Sequence, residues 1–116
     1  MHDFRRLRVW HAAKSLGISI YVLCSERPRS DLLVTAQLRR SALSIATNIA
    51  EGCGKNSRAE TLRYLEIASG SAAETEHHLE VAREVGVIET EKAEQLVAAI
   101  KNVRRMLRAL IRRFPQ

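Results

Sequence analysis

Leu38-Arg39-Arg40-Ser41-Ala42-Leu43-Ser44-Ile45-Ala46-Thr47-Asn48-Ile49-Ala50-Glu51-Gly52 is the stretch that decides the fold class of this chain. Leu38, Ala42, Ile45 and Ile49 recur at intervals of four, three and four, which places them on one stripe of an α-helix. Arg39 and Arg40 fall off that stripe, and Asn48 lies beside it near the helix end. Gly52 is expected to stop the helix. No catalytic arrangement follows from this spacing.

The same periodicity continues on both sides. Val9, Ala13, Leu16, Ile20 and Leu23 predict a first helix over about 6–25, in which Gly17 lowers propensity but permits close packing. Glu26-Arg27-Pro28-Arg29-Ser30 breaks the pattern, because proline restricts its predecessor and donates no backbone hydrogen bond. The second helix is expected over about 32–51, followed by the connection Gly52-Cys53-Gly54-Lys55-Asn56. Ser57 and Glu60 have the three-residue spacing of a capping box and open a third helix over about 58–85. Its seam is read as Leu62, Leu65, Ser69, Ala72, Glu76 and Leu79. The segment Ala68-Ser69-Gly70-Ser71-Ala72-Ala73 has little bulk, so a neighbouring helix can approach it closely. Glu76 is the awkward seam residue: a buried carboxylate requires hydrogen bonds or a positive partner, within the chain or in another subunit. Gly86 ends this helix, and Glu89 or Thr90 starts a fourth over about 90–113. Ala93, Leu96, Ile100, Val103, Leu107, Leu110 and Phe114 form its stripe. Four amphipathic helices with short connections predict one all-α domain over 1–116, an antiparallel up-down-up-down four-helix bundle. An opened pair of helical hairpins, or a bundle completed by another subunit, has the same periodicity.

Charge is segregated along the chain, whose formal net charge is +6. Residues 1–52 carry eight basic and four acidic side chains, residues 53–90 four and seven, and residues 91–116 seven and two. An acidic third helix and a basic fourth can pair within the chain or across subunits. Beside the fourth helix's core stripe, Lys101, Arg105, Arg108 and Arg112 recur at intervals of four, three and four, broadened by Arg104 and Arg113. A phosphate backbone, RNA or DNA, is the natural partner of such a row. Arg39 and Arg40 add contacts if the ends of neighbouring bundles converge. The plain alternative is a solvated basic face that only aids solubility. Zinc-finger spacing and dense aromatic interleaving are missing, which disfavours base-specific recognition. Trp10, Tyr21, Tyr64 and Phe114 are too few for a stacking platform. They read as packing anchors, with Trp10 and Tyr64 also suited to a place between protomers.

Other motifs lead away from catalysis. Gly52-Cys53-Gly54-Lys55-Asn56-Ser57 superficially resembles a phosphate loop. However, Ile49 replaces the required earlier glycine, Asn56 follows the lysine, and a helix precedes the segment. Glu74 and His77 have the spacing of one carboxylate–histidine metal unit, but no second helix repeats it. His78 reads as a surface or interface residue, and His2 and His11 stand alone in sequence. No nucleophile–base constellation is present. The expectation is therefore a nonenzymatic protein with no cofactor or metal. Asn48, Glu51 and Glu60 surround the second connection and are expected to hydrogen-bond across its polar ends. Cys24 and Cys53 lack metal-ligand spacing and are expected to be reduced. No run of about 18 apolar residues occurs, and Asp3-Phe4-Arg5-Arg6 precedes an amphipathic helix, so a cytoplasmic protein without membrane contact is expected.

The sequence resembles a known family. Arg39-Arg40-Ser41-Ala42 and Asn48-Ile49-Ala50-Glu51-Gly52, then Ser57-Arg58-Ala59-Glu60 and Arg63-Tyr64-Leu65-Glu66-Ile67-Ala68, are similar to signatures of the bacterial four helix bundle proteins. The founding members of that family are encoded in intervening sequences of large-subunit ribosomal RNA genes. Leu7-Arg8-Val9-Trp10 with Ala13 and Leu16, then Gly70-Ser71, Glu74, Glu76 and Gly86-Val87-Ile88, extend the likeness over nearly the whole chain. The resemblance implies a nonenzymatic homo-oligomer, often a pentamer. Related accessory proteins of diversity-generating retroelements bind a reverse transcriptase and nucleic acid through positive surfaces, so a reverse transcriptase is an expected partner only if this chain shares that role.

Overall fold

The computed structural model describes residues 3–114, so the isolated His2 lies outside it. Asp3 accepts a hydrogen bond from the Arg5 backbone N–H at 3.0 Å and opens a single 3₁₀ turn, Phe4–Arg6. Leu7 is extended and redirects the chain into α1, Arg8–Ser25, two residues later than the periodicity suggested. Pro28 is also extended and feeds a second 3₁₀ turn, Arg29–Asp31, which leads into α2, Leu32–Cys53. α3 spans Arg58–Glu84 and α4 spans Thr90–Ile111.

Gly52 does not stop α2. It lies inside the helix, which continues to Cys53 and is capped by Gly54. Its role is packing: a Cβ at Gly52 would lie 3.1 Å from Tyr64 Cβ and 3.2 Å from the Thr61 carbonyl oxygen. The start of α3 therefore rests directly on the α2 backbone, and Thr61 Oγ1 donates to the Gly52 carbonyl at 2.9 Å. Ser57 Oγ accepts from the Glu60 N–H at 3.1 Å and caps α3. The Glu60 carboxylate faces Arg63 at 4.0 Å. At the far end of α3, Gly86 takes a φ of +80°. Its N–H donates to the Arg83 carbonyl at 3.2 Å, and the Val87 N–H donates to the Ala82 carbonyl at 2.9 Å. This paired closure satisfies the last helix carbonyls and turns Val87 and Ile88 into the core.

Leu38, Ala42, Ile45 and Ile49 are fully buried, as the opening stretch requires. The α3 seam is displaced from the one read in the sequence: the buried positions are Thr61, Leu65, Ala68, Ala72, Thr75, Leu79 and Ala82. Leu62, Ser69 and Glu76 lie half-buried beside it. Two threonines of α3, Thr61 and Thr75, occupy the core because their hydroxyls are satisfied there. Thr75 Oγ1 lies 2.8 Å from the Ser71 carbonyl oxygen and 3.0 Å from Ser41 Oγ on α2. Ser41 Oγ in turn donates to the Leu38 carbonyl at 3.2 Å, so both buried hydroxyls are paired.

Packing runs around the bundle from α1 to α2 to α3 to α4 and closes from α4 to α1, leaving α1 diagonal to α3 and α2 diagonal to α4. This is an all-α four-helix bundle whose contacts fit up-down-up-down connectivity, 44 Å long and 21 Å across. The α2–α3 seam is the most extensive and the α1–α4 seam the sparsest. Among the described residues, no helix is long and apolar enough to cross a membrane.

Candidate nucleic-acid interface

Antiparallel packing brings the start of α1, the end of α2, the start of α3 and the end of α4 to one end of the molecule. Side-chain contacts mark this convergence. The Phe4 and Trp10 rings meet in a tilted pair with centroids 4.7 Å apart, and both line a groove with Ala46 and Ala50 of α2 and with Lys55 just beyond it. Arg58 at the start of α3 donates to the Arg113 carbonyl at 3.4 Å and lies over the Phe114 ring at 5.4 Å. Arg6 and Arg8 share a groove with Met106, Ala109, Leu110 and Arg113. The end so formed gathers Arg5, Arg6, Arg8, Arg58, Arg108, Arg112 and Arg113 against Asp3, Glu51 and Glu60. The opposite end carries Glu80, Glu84, Glu89, Glu91 and Glu94 against Arg83 and Lys92, with Glu26, Arg27, Arg29 and Asp31 in the first connection. The two ends of the bundle thus differ in sign.

Lys101, Arg105 and Arg108 on α4, and Arg112 at its C-cap, are exposed on one face. Their positions span about 16 Å of helix axis, at 1.5 Å per residue. Arg105 Nη2 donates to Asn102 Oδ1 one turn earlier, which steadies its guanidinium on the surface. Arg104 departs from this row. It turns towards α3, where its Nη1 lies 2.8 Å from Glu76 Oε1 with side-chain exposures of 33% and 20%. Its Nε is buried without an acceptor among the described residues. The acidic and basic helices are therefore pinned at one point, while the rest of the basic row faces outward. Glu76, the awkward seam residue, finds its positive partner within the chain.

Arg39 and Arg40 do not join this surface. They sit on α2, diagonal to α4, where Arg39 stands 6.0 Å over the Tyr21 ring and Arg40 Nη2 donates to Gln37 Oε1 at 2.7 Å. Asn48, Glu51 and Glu60 make no bond to one another across the second connection. Asn48 Nδ2 donates back to the Ser44 carbonyl at 2.8 Å, Glu51 lies 3.8 Å from Lys55 Nζ, and Glu60 faces Arg63. The crosslink at that connection comes instead from Thr61 on Gly52. Trp10 and Tyr64 are half-buried, with Lys14 at 4.8 Å over the Trp10 ring and Lys55 at 5.0 Å over the Tyr64 ring. Gly70 is exposed, with no atom within 4 Å of the position a Cβ would take. The small residues of mid-α3 that turn into the core are Ala68 and Ala72, both fully buried.

Sequence periodicity missed Arg6 and Arg8 as neighbours of the α4 row. The only signal for them was topological: up-down-up-down order sets the start of the first helix beside the end of the fourth. His78 Nε2 lies 3.3 Å from Glu74 Oε2, and its ring is 5.3 Å from that of His77. Among the described residues no three or more His, Cys, Asp or Glu side chains gather to hold a metal ion. Cys24 and Cys53 are both buried, and burial pushes both thiols above their ordinary range, opposed at Cys24 by the Arg39 charge. The Asp3 carboxyl is held below its ordinary range, chiefly by the Arg5 N–H.

The fold is shared with a solved structure from Bacteroides thetaiotaomicron, described as a protein of unknown function from the S23 ribosomal protein family. The two superpose with a TM-score of 0.83 at 27% identity, over 89% of this chain and 97% of that one. Among curated proteins, no sequence matches the chain. The profile of the 23S rRNA-intervening sequence proteins matches residues 5–109, and the chain belongs to that family.

Proposed function

We propose that the protein is a nonenzymatic, homo-oligomeric scaffold that contacts the phosphate backbone of nucleic acid through the outer face of α4. The observation that carries this reading is the exposed row Lys101, Arg105, Arg108 and Arg112, continued at the same end of the bundle by Arg113, Arg6 and Arg8. One strand of a duplex carries a charge per about 3.4 Å of axial rise, so a row about 16 Å long faces several phosphates. Such contacts position a backbone without reading bases, so RNA and DNA are both substrates of this surface.

Self-assembly belongs to the same proposal, with a pentamer as the expected form from the family resemblance. Ile18, Tyr21, Val22 and Leu43 are between 41% and 52% exposed on α1 and α2. The Leu43 side chain reaches Gly17 in α1. An apolar face of this kind is suited to burial against a second copy. It also favours the second reading, a scaffold that assembles without binding nucleic acid. Placement in the cytoplasm is part of the proposal, and a reverse transcriptase joins the partners only if the chain has the retroelement accessory role.

The test is salt-dependent binding of the native oligomer to matched duplex DNA, structured RNA and single strands, beside an Arg105→Glu/Arg108→Glu variant that assembles normally. Saturable native binding should weaken as salt rises, with a log–log slope of about 0.9 per phosphate neutralised on a duplex, and should be lost in the variant. No native binding at low salt would sink the nucleic-acid reading and leave the protein scaffold.

A further inference from the structure

The α1–α4 seam is the open side of the bundle, and the groove along it is built unlike the basic row beside it. Its volume is about 350 Å³. Its floor is aliphatic, formed by Met106, Ala109 and Leu110 on α4 with Leu7 and Val9 at the start of α1. Met106, Ala109, Leu110 and Arg113 follow the spacing i, i+3, i+4, i+7, so one continuous face of α4 forms the groove wall. Ala109 is exposed, and Leu7 and Met106 are half-buried. Arg6, Arg8 and Arg113 stand exposed at the rim, and none of their side chains forms an ion pair among the described residues.

We infer that this groove docks an acidic amphipathic helix of a partner protein. The chemistry asks for two things at once: apolar groups to cover an aliphatic floor, and anionic groups to reach three guanidiniums. A nucleic-acid backbone supplies the second but has only polar sugars and phosphates to set against Met106, Ala109 and Leu110. Unpaired bases do no better, because no aromatic ring lines the groove to stack on them. A helix with apolar residues at i, i+3, i+4 and i+7 and glutamates on either side meets both demands. It would lie along the α1–α4 seam as an additional helix of the bundle. Guanidinium–carboxylate pairs at the rim set its orientation, and burial of the floor supplies affinity. The rim arginines are shared with the phosphate-contacting surface, but the aliphatic floor is not, so the inference does not rest on nucleic-acid binding.

The experiment titrates the native full-length oligomer with a labelled synthetic helical peptide carrying leucines at i, i+3, i+4 and i+7 flanked by glutamates. Two control peptides accompany it, one of the same composition in scrambled order and one with lysine in place of glutamate. The protein variant is Ala109→Phe, which fills the floor at an exposed position without changing charge. Saturable binding of the acidic helix is expected, at least about tenfold weaker for both controls and for the variant. The variant should keep the native oligomeric state in sedimentation and its affinity for RNA within about twofold, since every arginine remains. Equal binding of the scrambled peptide would mean that charge alone acts and would overturn the proposal, as would unchanged peptide binding by Ala109→Phe. Loss of RNA affinity in that variant would assign the groove to nucleic acid, and a changed oligomeric state would assign it to a second copy. Either overturns the proposal. Failure of the native protein to bind RNA refutes the phosphate-contact reading alone, because the peptide arm is read independently.

Discussion

The α2–α3 seam and the α1–α4 seam are both formed by helices with the same alternation of three and four, yet they are opposite kinds of surface. Between α2 and α3, Gly52 lies against Thr61 and Tyr64, and Ser41 against Thr75, beside the large buried side chains Leu38, Ile45, Ile49, Leu65 and Leu79. Small side chains let the backbones approach, and the hydroxyls find partners within their own helix or directly across the seam. Between α1 and α4 contact is sparse, and an arginine-rimmed groove remains. Periodicity decides which face of a helix turns inward. How closely the backbones approach decides whether the seam closes into core or stays open as a groove.

The strongest test of that difference is Gly52→Val. Tyr64 Cβ and the Thr61 carbonyl already stand at 3.1 and 3.2 Å from the site of a new Cβ, and neither is the free end of a flexible side chain. The β-branched residue must push the start of α3 away and loosen the Thr61 bond to the Gly52 carbonyl. The expected loss is about 2 kcal/mol. That corresponds to a melting midpoint lower by about 8 °C in a domain of this size, measured by thermal circular dichroism at constant protein concentration. An unchanged midpoint would show that the α2–α3 seam has slack.

A smaller effect of opposite sign is expected from Gly70→Ala. This glycine lies mid-helix in α3, where an added methyl group meets nothing within 4 Å. Removing the entropic cost of glycine should stabilise the protein by about 0.5–1 kcal/mol. Destabilisation coupled to loss of assembly, read by denaturant melts alongside sedimentation, would instead place Gly70 against a second copy. Two glycines in helical interiors thus separate one held by a neighbour from one that is not.

Legibility in the sequence followed the same physical divide. The stripe of Leu38, Ala42, Ile45 and Ile49 was readable because apolar residues at helical spacing have one economical destination, and all four are fully buried. The α3 seam was misread because Thr61 and Thr75 look polar in composition. Their hydroxyls are satisfied by Gly52, Ser71 and Ser41 only once the chain has folded. That displacement moved Glu76 off the core and onto the edge where Arg104 meets it. Gly52 resembled a helix stop because a glycine needed for close approach and one needed for a turn are the same residue in sequence. The basic row on α4 was legible as a stripe. Arg6 and Arg8, about a hundred residues away in sequence, became its neighbours only through antiparallel packing, a long-range property that no local window contains.

The smallest expected effect is on the α1–α4 side, where Ala109→Phe adds more bulk than Gly52→Val yet should change stability by less than about 0.5 kcal/mol. Ala109 is exposed and lines an open groove, so the ring can lie on Met106 and Leu110 without forcing either helix to move. Covering that apolar surface offsets the lower helix propensity of phenylalanine relative to alanine. The measurement is the denaturant midpoint and slope of the variant beside those of the native protein. A shift as large as that of Gly52→Val would mean that the groove is occupied in the native assembly, either by α1 closing onto α4 or by a second copy. The α1–α4 seam would then be core like the α2–α3 seam, and the distinction between them would lie in their assembly partners rather than in how closely the helices approach.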